Sequence, residues 1–354
     1  MKIKKGLLLI NLGTPDDPGY LSVFKYLRQF LMDPKVITVP YFLRFILVSL
    51  IIVPFRAFSS GRIYKKIWSE NGSPLIVNTS ALAKKVSNKV PHMEVEFAMR
   101  YQSPSIEDKL KKLISQNLDE IIILPLFPQY STATTGSVFD EISRVLKKQS
   151  VTPSIKFINQ FYDQESFIDS WEERLESFNV NEYDHILFSY HGLPTKAVDD
   201  IYEDSLCADN NCENEITNEN KFCYKATCYE TTRLIANRFN LSPDKYTVSF
   251  QSRLTKNWLE PFTDEVLESF PGRGIEKILV LSPAFTADNL ETLYEIDDEY
   301  KELFLENGGK SLTMVPSLND SSKWADSIVE IIGCLLYTSP SPRDLVISRM
   351  PSSA

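Results

Sequence analysis

Eight short apolar runs punctuate the chain, at residues 6–11, 95–100, 121–126, 155–158, 186–190, 247–251, 278–282 and 312–315, and stretches of helical periodicity separate them. Runs this short, apolar almost throughout and bounded by polar or turn-forming residues, read as strands buried on both faces. Strands that alternate with helices build parallel sheets covered by helices on both sides. The pattern predicts an α/β fold of two doubly wound lobes with four strands each, residues 1–150 in the first and 151–333 in the second. The length of 354 residues suits two lobes, because a single hydrophobic core stops growing near ~250 to 300 residues.

Three segments stand apart from this pattern. Residues 36–58 are the most apolar, yet Pro40, Arg44, Pro54 and Arg56 interrupt them, and the uninterrupted part at 45–53 is half of the ~20 residues that a membrane span requires. The segment is therefore expected not to cross a bilayer. Flanked by Arg44 and Arg56, it reads equally as an interfacial segment and as a buried helix. The basic start, Met1 to Lys5, precedes an apolar run too short for a signal peptide. Residues 334–354, with Ser339-Pro340-Ser341-Pro342, abandon the preceding helical pattern and read as a disordered, non-native tail.

Charge narrows the partners. A net charge of −9, with 43% hydrophobic and 24% charged residues, argues against nucleic acid, which needs a basic surface. The loops that follow the strands contain no G-x-G-x-x-G, no G-x-x-x-x-G-K-[ST] and no G-x-S-x-G, which counts against a dehydrogenase, a kinase and a serine hydrolase. They hold instead Asn11 to Pro15, Arg100-Tyr101, Gln129 to Ser137, His191 to Pro194, Gln251 to Arg253, and the segment from Phe285 onward. Such loops line the crevice beyond the carboxyl ends of the strands, and in two lobes that crevice becomes the cleft between them. The Ser/Thr-rich stretch 131–137 could bind an anion through hydroxyls and N–H groups, and equally could be a capped helix start.

Two features carry metal chemistry. His191 is one of three histidines and ends an apolar strand, where a ligand or base would sit. Glu291, Glu295 and Glu299 are four apart, which stacks them on one helical face and costs a few tenths of a kcal/mol per pair unless a cation intervenes. Without export the cysteines should be reduced. Cys207-x4-Cys212-x10-Cys223-x4-Cys228 concentrates four of the five in one polar insertion at 203–228, a spacing open to tetrahedral Zn²⁺ and to a [2Fe–2S] cluster.

The strand and loop Ser189 to Pro194, the stretch Ala284 to Tyr300, the loop Gln129 to Ser137 and the opening Leu7 to Pro15 together resemble the ferrochelatase family, from about Lys5 to Ile332. The resemblance implies two Rossmann-like lobes with the active site in the cleft between them, and insertion of Fe²⁺ into protoporphyrin IX with release of two protons, the last step of haem synthesis. It implies that His191 matches the family's active-site histidine and Glu291 the glutamate facing it across the porphyrin. Glu295, Glu299 and Asp288 would form an accessory acidic path for Fe²⁺. Leu12, Arg100, Tyr101, Tyr130, Thr135, Ser137 and Trp258 would line the porphyrin pocket, with Arg100 and Arg253 available for propionates. Residues 36–58 would be the lip that covers the pocket and meets the membrane. Some ferrochelatases hold a [2Fe–2S] cluster through internal cysteines, which implies that cofactor on Cys207, Cys212, Cys223 and Cys228, with Zn²⁺ as the alternative. The implied protein is a monomer or homodimer, cytoplasmic or peripheral on the inner face of the membrane. The rival readings are a chelatase for another tetrapyrrole or metal, such as coproporphyrin or cobalt, and a non-catalytic iron–sulfur or haem carrier.

Overall fold

Leu7, Leu8, Leu9 and Ile10 have no exposed surface, because the strand that carries them, β1 (Lys5–Gly13), is the second strand of a sheet covered on both faces. The computed structural model describes residues 3–337. β1 pairs in parallel with β2 (Met93–Tyr101) on one side and β3 (Glu120–Pro125) on the other, and β4 (Ser154–Phe157) pairs with β3. The second sheet repeats the order: β5 (His185–His191) lies between β6 (Tyr246–Gln251) and β7 (Lys277–Leu281), with β8 (Ser311–Met314) beyond. The predicted α/β class and both four-stranded parallel sheets are present. Because β4 belongs to the first sheet, that sheet runs past the lobe boundary expected at residue 150.

In each sheet the chain leaves the inner strand to one side and later returns to the other, which opens a crevice at the carboxyl ends of β1 and β5. Gly13 closes β1, and Gly192 follows β5. Gly13 has φ +115°, and a Cβ there would meet the Tyr101 carbonyl oxygen at 2.1 Å; at Gly192 it would meet the Gln251 carbonyl oxygen at 2.7 Å. Only glycine lets the backbone turn so close to the neighbouring strand.

The lobes share apolar packing. The helix Ser322–Tyr337 follows the second sheet yet packs on the helices Pro74–Lys89 and Glu165–Glu176. Trp324, on that helix, lies 5.7 Å from the ring of Phe161 and 5.8 Å from that of Phe167. This helix also includes residues 334–337, placed in the tail by the sequence pattern; the remainder, 338–354, lies outside the described residues.

The segment predicted as a lip, 36–58, lies from residue 41 onward in a continuous helix, Tyr41–Ile67, of 27 residues, long and apolar enough by length and composition to cross a membrane. Pro54 does not break it, because the preceding turns, Ile46–Ile52, are a π-helix, whose i→i+5 bonding relaxes the hydrogen-bond register ahead of the missing N–H. One face packs Val48, Val53, Ala57 and Tyr64 against Val23, Tyr26 and Leu27. The other exposes Phe42, Leu50, Ile51, Phe55 and Phe58. Arg44 does not flank an interface as its sequence position suggested: it is buried and donates to the carbonyls of Ile37 and Val39 at 2.8 and 3.0 Å.

Candidate active site

His191 is the last residue of β5, after six buried residues, and is itself half-buried. Its Nδ1 lies 2.6 Å from the Gly192 carbonyl oxygen. A carbonyl only accepts, so Nδ1 carries the hydrogen and the neutral ring leaves the Nε2 lone pair free. The rings of Trp258 and Phe285 stand 6.4 and 6.3 Å from the imidazole. The other two histidines are of a different kind. His185 is buried against Thr247, its pKa pushed down to about 4 by burial and then by Arg273 and Lys245, and His92 is exposed.

Glu291 opens a π-helix, Glu291–Tyr300. It lines a narrow cleft with Leu12, Gly13, Thr14, Tyr26, Tyr64 and Asn289 among others. The residue is half-buried, and burial raises its carboxyl above the ordinary glutamate value. The nearby His191 pulls it down, as does the residue's own backbone N–H; Glu295 adds to the rise and Arg56, from the exposed side of the long helix, opposes it. Leu12 is thus brought together with Glu291, and Trp258 with His191.

The carboxylate ladder runs outward but its members differ. Glu295 is half-buried and accepts from Gln251 Nε2 at 3.0 Å, from the Ser252 hydroxyl and from the Tyr300 hydroxyl at 2.9 Å. Glu299 is exposed at the outer end. Asp288 departs from the expected acidic path: it is buried, and its two oxygens accept from the Ser317 N–H, the Thr292 hydroxyl and the Asn319 amide. Those bonds tie the loop after β7 to the loop after β8, and leave little of the carboxylate for a metal.

The residues expected to hold propionates are engaged elsewhere. Arg100 donates from Nη2 to Asp33 at 2.6 Å and from Nε to the Ser137 hydroxyl and carbonyl at 2.6 and 3.1 Å. Tyr101 and Ser137 donate to the same Asp33 oxygen, at 2.9 and 2.6 Å. Asp33 is therefore a buried hub that the sequence reading missed; its only sequence signal is the Asp33-Pro34 pair after an apolar helix. Arg253 pairs with Asp264 and Glu265 at 2.6 and 2.7 Å and stacks on Phe262. In the 131–137 loop, Ser131 caps a helical start by accepting from the Thr134 N–H, which is the capped-helix reading. Thr135 is buried, and its hydroxyl has no partner among the described residues. Tyr130 meets Phe222 of the cysteine insertion edge-on at 6.0 Å.

The insertion gathers Cys207, Cys212 and Cys223, whose sulfurs all lie within 4.8 Å of one another, with Cys207 to Cys223 at 3.5 Å and Cys212 to Cys223 at 3.7 Å. Tyr202 OH and Asn220 Nδ2 reach Cys212 Sγ at 3.2 and 3.8 Å. Cys228 is buried but does not join this group; it lies beside Tyr224, whose hydroxyl donates to the His191 main-chain carbonyl at 2.9 Å.

Two lobes built on four-stranded parallel sheets, with Glu291 lining a cleft and His191 close enough to act on its charge, define a protein of the chelatase class. Two solved chains share the fold: SirB from Bacillus subtilis with Fe³⁺, with a TM-score of 0.54 over 94% of this chain and 95% of that one, and the sirohydrochlorin chelatase SirB of Bacillus subtilis subspecies spizizenii in complex with cobalt, with a TM-score of 0.51 over 93% of each. Both are 12% identical, so the likeness concerns fold alone. Residues 4–334 match the ferrochelatase family, and the chain belongs to it. A ferrochelatase of Coxiella burnetii is 43% identical over 334 residues, 93% of each chain; one of Legionella pneumophila is 39% identical over 332 residues, 93% of this chain and 99% of that one; one of Pseudomonas fluorescens is 40% identical over 329 residues, 92% and 96%. The protein is an enzyme of haem synthesis, a lyase that inserts iron into a porphyrin.

Proposed function

We propose that His191 and Glu291 are the working pair of the insertion, acting from opposite sides of the bound porphyrin. The observation that carries this reading is the closeness of the two, which couples the Glu291 carboxyl electrostatically to His191, while burial pushes that carboxyl above the ordinary glutamate value and the hydrogen bond to Gly192 leaves the His191 Nε2 free. Two pyrrole protons must leave as the divalent ion enters. An imidazole lone pair accepts one readily, and a carboxyl whose pKa is raised by burial takes up a proton more readily than an exposed one. Fe²⁺ ranks low in the affinity order of divalent ions, so oxygen and nitrogen donors can hold it and release it. Trp258, Phe285 and Leu12 supply apolar surface for the ring. Glu295 and Glu299 lie on the route from Glu291 to the surface, and the half-buried Glu295 with its three donors is suited to steering the cation rather than keeping it. In an anaerobic assay of Fe²⁺ insertion, His191→Ala should lose turnover while still quenching protoporphyrin fluorescence on binding; unaltered turnover contradicts the assignment.

Protoporphyrin IX fits the reading better than coproporphyrin because the exposed face of the long helix, Phe42 to Phe58, suits a substrate delivered from lipid. The same face supports peripheral contact with the inner leaflet by a cytoplasmic enzyme. Parallel rates with the two porphyrins, with and without vesicles, test both points.

The cysteines fit a thiolate metal centre. For one tetrahedral ion with metal–sulfur bonds of about 2.3 Å, the sulfurs stand ~3.8 Å apart, which the 3.5 and 3.7 Å separations approach. The [2Fe–2S] form implied by the resemblance needs a fourth thiolate, which Cys228, outside the three-sulfur group, supplies only by moving toward it. Such a centre would clasp the insertion, since metal insertion involves no net redox change. Iron, zinc and acid-labile sulfide analysis of wild type and Cys228→Ser separates the forms: a single ion survives the substitution and a four-thiolate cluster does not.

A further inference from the structure

Tyr224 stands between the cysteine insertion and the histidine. It is the first residue of the helix Tyr224–Arg238, directly after Cys223, and is buried. Its hydroxyl donates to the His191 main-chain carbonyl at 2.9 Å. The peptide that follows that carbonyl is held from the other side, where the Gly192 N–H donates to the Gln251 carbonyl at 2.8 Å. The imidazole in turn leans on the next carbonyl along, that of Gly192. The direction of Nε2 therefore follows the tilt of two successive peptides, one of which Tyr224 anchors.

The other end of this link is the sulfur group. Cys223 Sγ is within 3.7 Å of both Cys207 and Cys212, so whatever holds the three sulfurs together fixes the start of the helix and with it Tyr224. The residues just before are clamped by the first lobe: Gln160 Nε2 donates to the Lys221 carbonyl at 3.0 Å, and Phe222 packs on Tyr130. The stretch from Lys221 to Tyr224 thus joins the first lobe, the thiol group and the His191 loop within four residues.

We propose that Tyr224 is a positioning residue that carries the state of the cysteine centre to His191, an inference that rests on reading Cys207, Cys212 and Cys223 as a metal centre. An intact centre holds the His191 carbonyl through the Tyr224 hydroxyl, and a dismantled one frees it. Neither Tyr224 nor the cysteines touch the reacting atoms, so the effect is on orientation of the base and not on capture of the porphyrin.

The test uses Tyr224→Phe, Cys212→Ser and the double variant, purified anaerobically as full chains. Metal content is measured by elemental analysis, and backbone hydrogen exchange of peptides covering 186–193 by mass spectrometry. Tyr224→Phe should keep its metal, exchange faster across 190–193 and lose roughly 10- to 10²-fold in kcat, up to the scale of a group misplaced by about 1 Å, with KM for the porphyrin within about twofold. Cys212→Ser should lose the metal and show the same faster exchange, and the double variant should exchange no faster than Tyr224→Phe alone. Unchanged exchange and rate in Tyr224→Phe overturns the link, and so does a full further acceleration in the double variant. If Cys212→Ser does not fold, Cys207→Ser replaces it. A Cys212→Ser protein that retains its metal refutes the metal centre itself and leaves the Tyr224→Phe arm to decide the anchoring of His191.

Discussion

The side-chain amide of Gln251 donates to the Glu295 carboxylate at 3.0 Å, and from the same nitrogen to the main-chain carbonyl of Glu291 at 3.1 Å. The end of β6 is in this way tied to the first turn of the π-helix that carries the acidic ladder. Because Ser252 and Tyr300 also donate to Glu295, Glu295→Ala leaves three donors without their acceptor and should cost about 1–3 kcal/mol of stability. Glu299→Ala, at the exposed end, should stay within about 0.5 kcal/mol. Urea unfolding of the two variants checks the contrast.

Glu291 makes stability depend on pH in a definite direction. Its folded pKa is raised by burial, so between the ordinary glutamate value and the raised one the folded state binds more protons than the unfolded, and stability falls as pH rises through that window. Glu291→Gln removes the dependence. Compared by urea unfolding from about pH 4 to about pH 8, the variant should gain on the wild type with rising pH and then level off.

Asp33 accepts from Arg100, Tyr101 and Ser137 on one oxygen while its other oxygen accepts from the Lys35 N–H. Asp33→Ala takes the buried acceptor away from a half-buried guanidinium and should destabilise the fold by about 3 kcal/mol. Adding Arg100→Ala should recover part of that loss, because the two side chains form one unit. Chemical denaturation of both single variants and the double measures the coupling.

The strands were legible because burial on both faces leaves a continuous apolar run: the stretch read at 121–126 is β3 with its neighbour, and the one at 186–190 lies within β5. His191 and Gly192 were legible for a related reason, since a polar residue after such a run marks the carboxyl end of a strand. The parts that escaped depend on contacts distant in sequence. Asp33 meets Arg100 across 67 residues and Ser137 across 104, and no local pattern announces either. The π-helical turns at 46–52 and 291–300 also escaped, because apolar periodicity over so few residues does not separate π from α. Cys228 shares the spacing of its neighbours, yet its sulfur stays outside the group of three and lies beside Tyr224, a choice made by packing.

The outer face of the long helix offers a separate test. Phe55 and Phe58 are 77% and 60% exposed, so replacing both with Asp should leave thermal stability unchanged. If the face enters lipid, each lost side chain removes roughly 1.5–3 kcal/mol of binding, and sedimentation with anionic vesicles should weaken by more than tenfold per residue. Insertion into detergent-dispersed porphyrin should be unaffected.

The account turns on His191 and Glu291 acting as one unit. The most direct measurement is a double-mutant cycle on the anaerobic single-turnover rate of Fe²⁺ insertion into bound protoporphyrin, with His191→Ala, Glu291→Gln and both together. Each substitution should slow the step by about 10²-fold or more, as loss of a proton-transfer group does, and the double variant should be scarcely slower than either single one. Fast insertion by either single variant, or fully multiplicative losses in the double, would contradict the pair.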